Sequence, residues 1–308
     1  MTQETIVRGH PSPAAPTSIG SVRRRFRRDP WRKPRVLAAI TWGYLAWSLL
    51  PLAIAIAISF NGSRSNSLLH GFSLQWWWSD PTESLWHDPE LHAALFQSLR
   101  LSLFTVAIAV PLGVAFALGI DRWHSRPAKG FNFLMLLSFV LPEIVLGISL
   151  FLVFQHLLTF VQLGTTAQIL GLVTYQLAYP VIIVRARLLT IGKEYEEAAY
   201  DLGAPPRQAI RRVLLPLLYP AIFASAAIVF ADSLDDFVTV RYLSGPATSE
   251  PLSVKIYNFT RAEPTPAVNA AATFLLVTTT IAIVLGYLAY RHATRGQRTG
   301  GVSEFANV

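Results

Sequence analysis

Four stretches of this chain, residues 36–63, 101–120, 213–231 and 264–290, contain no Asp, Glu, Lys or Arg. About 20 apolar residues of helix cross a bilayer, so each run is long enough to span one. A fifth run, 130–184, holds one charge, Glu143, and is too long for a single crossing. The polar turn TFVQLGTTAQ (159–168) divides it in two. Six spans are therefore predicted, over about 36–60, 99–120, 133–158, 169–184, 216–236 and 268–290. Composition agrees: 14% of the 308 residues are charged, against about 25% in soluble domains. In lipid the backbone must satisfy its own hydrogen bonds, and runs of this length do so as helices. The expected fold is an all-α polytopic membrane protein.

Lys and Arg are retained on the cytoplasmic side of a membrane, so their distribution predicts orientation. Residues 1–35 carry nine, and the 121–132 loop carries Arg122, Arg126 and Lys129. The 185–212 segment carries six, and the end of the chain has Arg291, Arg295 and Arg298. The intervening loops hold only Arg64, Arg100, Arg241, Lys255 and Arg261. Both termini are then cytoplasmic, with tails at 1–35 and 291–308 flanking a permease domain at 36–290. The net charge of +8 follows from this topology and from anionic lipid headgroups, with no nucleic-acid partner required. Cysteine is absent, which removes disulfides, thiolate nucleophiles and Cys-ligated metals.

The Pro-, Ser- and Arg-rich first 35 residues cannot bury a core and are expected to be a disordered tail with a basic patch at the membrane surface. RRRF (23–26) also fits a twin-arginine export signal. A retained first helix is the expected outcome, because the apolar run is a full span and five more follow. The outer loop contains QWWWSD (75–80) and four acidic residues, Asp80, Glu83, Asp88 and Glu90. Its tryptophans fit an interfacial belt or a cation-gripping surface. Gly113 and Ala117 have the small-xxx-small spacing of close helix packing.

Between the fourth and fifth spans lies EEAAYDLGAPPRQAIRRVLLPLLYP (196–220), polar and proline-broken in an otherwise apolar chain. Lys193 to Leu202 favours helix, and Gly203 suits the left-handed residue that ends one. Pro205 and Pro206 fit the start of a second helix, and Pro216 fits the first turn of the next span. The expected product is helix, sharp bend, and a further helix along the membrane surface. Ala198 and Ala199 would let another backbone approach closely, while Glu197, Asp201 and Arg207 fix its register. An ordinary amphipathic surface helix is the other reading.

The spacing adds to this. EAA at 197–199, Gly203 three residues on, then nine residues before Val213, Leu215 and Pro216 resembles the EAA loop of bacterial ABC importer permeases, with Val213 for Ile as the one departure. LPEIVLGISLF (141–151), SLDDFVTVRYLSGP (233–246), LSVKIYNFTR (252–261) and PAVNAAATFLL (266–276) together resemble the spermidine/putrescine permease branch, in its C-type subunit. The resemblance covers roughly 36–292. Thr174, six residues before Pro180, stands where relatives often carry His. It implies a type I ABC importer permease fold in the bacterial plasma membrane. It also implies that loop 186–215 is a coupling element, with Glu197, Ala198, Ala199, Asp201, Gly203, Ala204, Arg207, Leu215 and Pro216 docking on an ATPase subunit. The partners implied are an ATPase dimer, a second homologous permease and an extracytoplasmic substrate-binding protein.

Glu143 counts about ten residues into the third span, about 15 Å deep at 1.5 Å per residue. A charge there costs at least about 2.5 kcal/mol on insertion scales. Either it lines the path and pairs with an amine, or it is a neutral acid bonded to a neighbouring helix. Pro142 before it frees a backbone carbonyl for the same path. Asp232, Asp235 and Asp236 fall near the outer end of the fifth span, Asp232 and Asp236 on one face. They would favour a polycation, or simply meet water. Asp235 and Asp236 match the family's acidic pair, and Tyr242 and Tyr257 are candidates for stacking on a cation.

No phosphate loop, HExxH or GxSxG is present. The chain is expected to bind no cofactor and to be no enzyme, with ATP and Mg on the partner ATPase. Two mechanisms remain open: a permease subunit of an ATP-driven polyamine importer, or a gradient-driven carrier with Glu143 as relay. A related importer of another small solute, such as ferric iron, is the alternative to polyamines.

Overall fold

The computed structural model describes residues 35–64, 70–122, 126–262 and 265–294. The predicted basic tail up to residue 34, its arginine motif included, and the residues beyond 294 lie outside the described residues. Two units divide the chain, one ending at Leu50 and one beginning at Pro51. The first contributes residues 35–50 of α1 (Arg35–Ser59), apolar on every face, as befits a helix solvated by lipid.

The second unit holds α2 (Pro89–Arg122), α3 (Arg126–Val140), α4 (Glu143–His156), α5 (Thr165–Gln176) and α6 (Ala178–Ile191). It continues through α7 (Glu194–Asp201), α8 (Pro206–Ala209), α9 (Leu215–Asp235), α10 (Val238–Leu243), α11 (Leu252–Ala262) and α12 (Pro266–Thr294). The described residues form no sheet; one isolated bridge joins Asn61 and Phe72. The fold is all-α, as composition predicted. Among the described residues, five helical runs are long and apolar enough to cross a membrane: Val36–Ser59, Pro89–Arg122, Thr165–Ile191, Pro206–Asp235 and Pro266–His292.

The third predicted span departs from a rod. Phe133–Val140 and Glu143–His156 meet at 109° and make a sixth crossing only if taken together. Proline has no N–H and pushes the residue before it out of the helical region. Pro142 accordingly sits at φ −59°, ψ 131° as the N-cap of α4. Its carbonyl accepts from Val145 N–H at 3.0 Å and Leu146 N–H at 3.2 Å, which starts the new helix. Glu143 is thus the first residue of α4 and not the middle of a continuous span, and the predicted depth of about 15 Å does not apply.

Other boundaries move for identifiable reasons. α2 begins ten residues before the predicted 99 because Asp88 Oδ1 accepts from the N–H groups of Glu90 (2.8 Å) and Leu91 (3.1 Å), capping it. The predicted second surface helix begins at Pro206 as α8, but it is not set off from the next span. It passes through a π-helical turn, Ile210–Leu214, straight into α9.

α9 packs against α12, α2 and α6. At one end of α2, Leu91, Ala94 and Leu95 pack with Leu234, Leu252, Ala267, Ala271 and Trp76. At its other end, Ala117 packs with Val184, Leu188, Leu214 and Leu218. Between them Gly113 lies where any Cβ would collide with the ring of Pro180, so α2 and α6 cross at backbone distance, as the Gly113/Ala117 spacing predicted. Trp76 is 1% exposed and its indole N–H donates to Asn61 O at 2.7 Å, so it is a core residue and not part of a belt, whereas Trp78 is exposed.

Candidate functional site

Two groups of predicted residues form separate clusters, an acidic one and the coupling loop, the latter tied to the C-terminal end of α2 through Arg122 and Glu196. The acidic group forms where the start of α4, the α5–α6 junction and the end of α9 come together. Tyr175 and Gln176 are the last two residues of α5. The Tyr175 hydroxyl donates to Glu143 Oε1 at 3.1 Å, and Gln176 Nε2 donates to Asp232 Oδ2 at 2.6 Å. Tyr179, one turn on, lies edge-on to Tyr175 with ring centroids 6.3 Å apart. Asp235 is exposed at the end of α9 and within electrostatic reach of Asp232 and Glu143. None of Glu143, Asp232 or Asp235 has an ion pair among the described residues. Neutral donors hold two carboxylates in place and leave their charge uncompensated, which is an arrangement that attracts cations.

Asp236 behaves differently. It lies past the end of α9 at φ −51°, ψ 128°, so it shares no helix face with Asp232, against the predicted one-face arrangement. Its Oδ1 accepts from Val240 N–H at 3.1 Å and so caps α10, and its carbonyl accepts from Ser253 Oγ at 2.6 Å. Its side chain is buried in that work. Tyr242 packs against α4 at Gly147. Tyr257 already carries a cation: the Arg261 guanidinium lies 4.7 Å from its ring centroid, and the Phe237 ring packs against it at a tilt of 47°, centroids 4.9 Å apart.

A buried polar network braces the α5 side of this region. Gln97 donates to Thr165 Oγ1 at 2.9 Å and to Gln168 Oε1 at 3.0 Å, and Gln168 Nε2 reaches Ser244 Oγ at 3.0 Å and Ser249 O at 2.9 Å. Nearby, Lys255 bridges Glu90 (3.0 Å) and Glu250 (3.4 Å). Burial works against its charge, yet these two carboxylates hold its pKa above the ordinary lysine value.

The second group is the predicted coupling loop. Gly203 has φ +79°, a left-handed conformation that glycine adopts without strain; its N–H donates to Tyr200 O at 2.8 Å, and it ends α7 as predicted. Pro206 is the first residue of α8. Glu197, Ala198, Asp201 and Arg207 are exposed, Leu202 is 90% exposed, and Ala204 and Leu215 are half-buried. Pro216 is exposed in the first turn of α9. Ala199, by contrast, is buried within the chain, so only Ala198 of the pair offers a bare surface outward. The sequence reading missed Arg122 and Glu196, which tie the end of α2 to the first turn of α7 by a 2.6 Å hydrogen bond to Oε1. They line a cleft of about 340 Å³ with Asp121, Lys193, Glu197 and Tyr200. Tyr175, Gln176 and Tyr179 were missed as well. A glutamine inside an apolar span was the available signal, because intramembrane polar groups mark paths.

Residues 109–299 match the family model described as binding-protein-dependent transport system inner membrane component. The chain is 32% identical over 257 residues to the spermidine/putrescine transport system permease protein PotC of Escherichia coli K12, covering 83% of this chain and 94% of that one. It is 30% identical over 276 residues to the putrescine transport system permease protein PotI of the same organism, covering 88% and 93%. Among solved structures, a bacterial ABC transporter involved in import of the polysaccharide alginate superimposes with a TM-score of 0.66 at 18% identity, covering 85% of this chain and 96% of that one. The MetNI methionine transporter does so with 0.55 at 19%, covering 66% and 94%. At such identities the structural likeness establishes fold alone, the ABC importer permease fold. Family match and sequence relatives agree with it: the chain belongs to the binding-protein-dependent transport system inner membrane components, multi-pass transport subunits and not enzymes.

Proposed function

We propose that this chain is one of two permease subunits through which an ATP-driven importer moves polyamines, such as spermidine or putrescine, into the cell. One observation carries the substrate class: Glu143 and Asp232 are held by neutral donors with no cation paired to either, and Asp235 lies within electrostatic reach. A di- or triamine supplies separated positive charges to match, each ammonium offering N–H donors to carboxylate acceptors. The names of the sequence relatives support the same class.

The coupling reading supports the energy source. α7, stopped by Gly203 and reversed at Pro205 and Pro206, presents Glu197, Ala198, Asp201 and Arg207 outward. An ATPase subunit that docks there, holding ATP and Mg, would move α7. Alternating access follows when ATP and substrate favour different states of the spans. Both termini and α7 then lie in the cytoplasm, and a binding protein delivers substrate on the opposite side. A gradient-driven carrier needs neither docking helix nor binding protein.

The test is uptake of labelled polyamine by cells expressing the whole importer. Uptake should fail on ATP depletion and survive an uncoupler, and Gly203→Trp should abolish co-purification of the ATPase subunit. Uptake that collapses with the uncoupler while outlasting ATP would overturn the proposal.

A further inference from the structure

We propose that Gln176 is a specificity-determining residue of this path, its carbonyl oxygen acting with the Asp232 carboxylate to hold one N–H-bearing ammonium group of the substrate. The inference rests on the polyamine reading above and names a contact within it. Asp232 as a carboxylate can only accept hydrogen bonds, so the amide must turn its NH₂ group toward Oδ2, as the 2.6 Å contact requires. That orientation sends Oε1 away from Asp232. Gln176 is 0% exposed, and Oε1 finds no donor among the described residues. Buried amide oxygens are almost always paired, and one left open beside an unneutralised carboxylate is a place where a donor arrives.

The chemistry of that donor is narrow. It must carry positive charge to suit Asp232 and at least two N–H groups to reach both oxygens. A primary ammonium fits, whereas a quaternary ammonium has the charge without the donors. Tyr175, the preceding residue, holds Glu143 in the same way, so the end of α5 sets the positions of two carboxylates on two different elements, α4 and α9. Gln176 would therefore discriminate by hydrogen-bond count where the carboxylates discriminate by charge.

The experiment uses the complete importer, both permeases with the ATPase dimer and binding protein, in proteoliposomes. Uptake of putrescine is compared with that of 1,4-bis(trimethylammonio)butane, which has equal charge and spacing but no N–H. The wild-type importer should prefer putrescine, and Gln176→Leu should reduce that preference about tenfold. The binding protein is common to both measurements, so its own selectivity cancels. Gln176→Met, closer in shape, carries the same expectation if Gln176→Leu fails to co-purify with its partners. If neither assembles, the wild-type preference is divided by the binding protein's own affinity ratio, and a quotient of at least about ten supports the role. An unchanged preference in an assembled variant, or a quotient near one, overturns it and leaves polyamine transport standing. A wild-type importer that moves no polyamine overturns the substrate reading, and this inference with it.

Discussion

Glu143 concentrates the argument at the scale of single residues. It stands at the first position of α4, where the partial positive charge of the helix N-terminus favours an anion, and among the described residues it accepts a hydrogen bond from the neutral Tyr175 hydroxyl. Hydrogen bonds to charged groups contribute about 1.5–3 kcal/mol, so Glu143→Ala should lower the kcat/KM of polyamine uptake by about 10- to 100-fold. ATPase co-purification, set at α7, should stay intact. Unaltered uptake in that variant would remove Glu143 from the path. On the loop before α2, Asp80 Oδ1 accepts from the N–H groups of Thr82 and Glu83, both at 2.9 Å, and from the Thr82 hydroxyl at 3.0 Å. Those backbone donors hold its pKa below the ordinary 3.8. A depressed carboxylate stabilises the fold at pH above its unfolded value and loses that contribution as pH falls through the depressed one. Amide exchange at Thr82 and Glu83 should therefore be flat from pH 7 down to about pH 4, once corrected for intrinsic rates. Protection should fall only below that, and Asp80→Ala should remove it at every pH.

Among elements, the spans were legible because charge is excluded from hydrocarbon, and α7 with its stop was legible because Gly203, Pro205 and Pro206 act locally. What escaped depends on contacts between distant segments. Tyr175 meets Glu143 across 32 positions and Gln176 meets Asp232 across 56, and no periodicity within either span announces a partner. The 109° break had a local signal in Pro142, but proline is tolerated within spans, as Pro51, Pro111 and Pro220 are inside α1, α2 and α9. Whether a given proline bends a helix depends on what receives the freed segments. The same dependence on distant partners holds for Arg122 and Glu196, 74 positions apart, which connect α2 to α7 at a point where force from a docked ATPase would enter. Partly exposed ion pairs contribute about 0.2–1 kcal/mol, so Glu196→Arg should scarcely lower stability. It should instead weaken the stimulation of ATP hydrolysis by loaded binding protein, and the exchange Arg122→Glu with Glu196→Arg should restore it. Equal stimulation in the single reversal and the wild type would show that motion passes elsewhere, through the packed Leu188–Leu214–Leu218 contacts.

For the whole molecule, orientation is the property that joins charge distribution to the proposed mechanism, which requires α7 to face an ATPase and the acidic group to be reachable by delivered substrate. α2 has 34 residues, about 51 Å at 1.5 Å per residue, so its ends stand on opposite sides of a core about 30 Å thick. Its N-terminal end packs with Trp76 and Leu85, and its C-terminal Arg122 bonds Glu196 of α7. The loop containing Phe72 and the α7 stop containing Leu202 therefore lie on opposite faces whatever the orientation. With 21 of 26 Lys and Arg on alternate loops, the charge distribution predicts that the α7 side is the cytoplasmic one. The chain has no cysteine, so single thiols report position without background. Phe72 and Leu202 are 78% and 90% exposed; cysteine at Phe72 gives up the stacking of its ring on Phe60, centroids 5.3 Å apart. In spheroplasts a membrane-impermeant maleimide should label Phe72→Cys and spare Leu202→Cys. Inverted vesicles should give the opposite pattern, and a bound ATPase dimer should then protect Leu202→Cys while leaving Phe72→Cys unaffected. Labelling of Leu202→Cys from outside would place α7 where no cytoplasmic ATPase can reach it, and the coupling mechanism would fail with it.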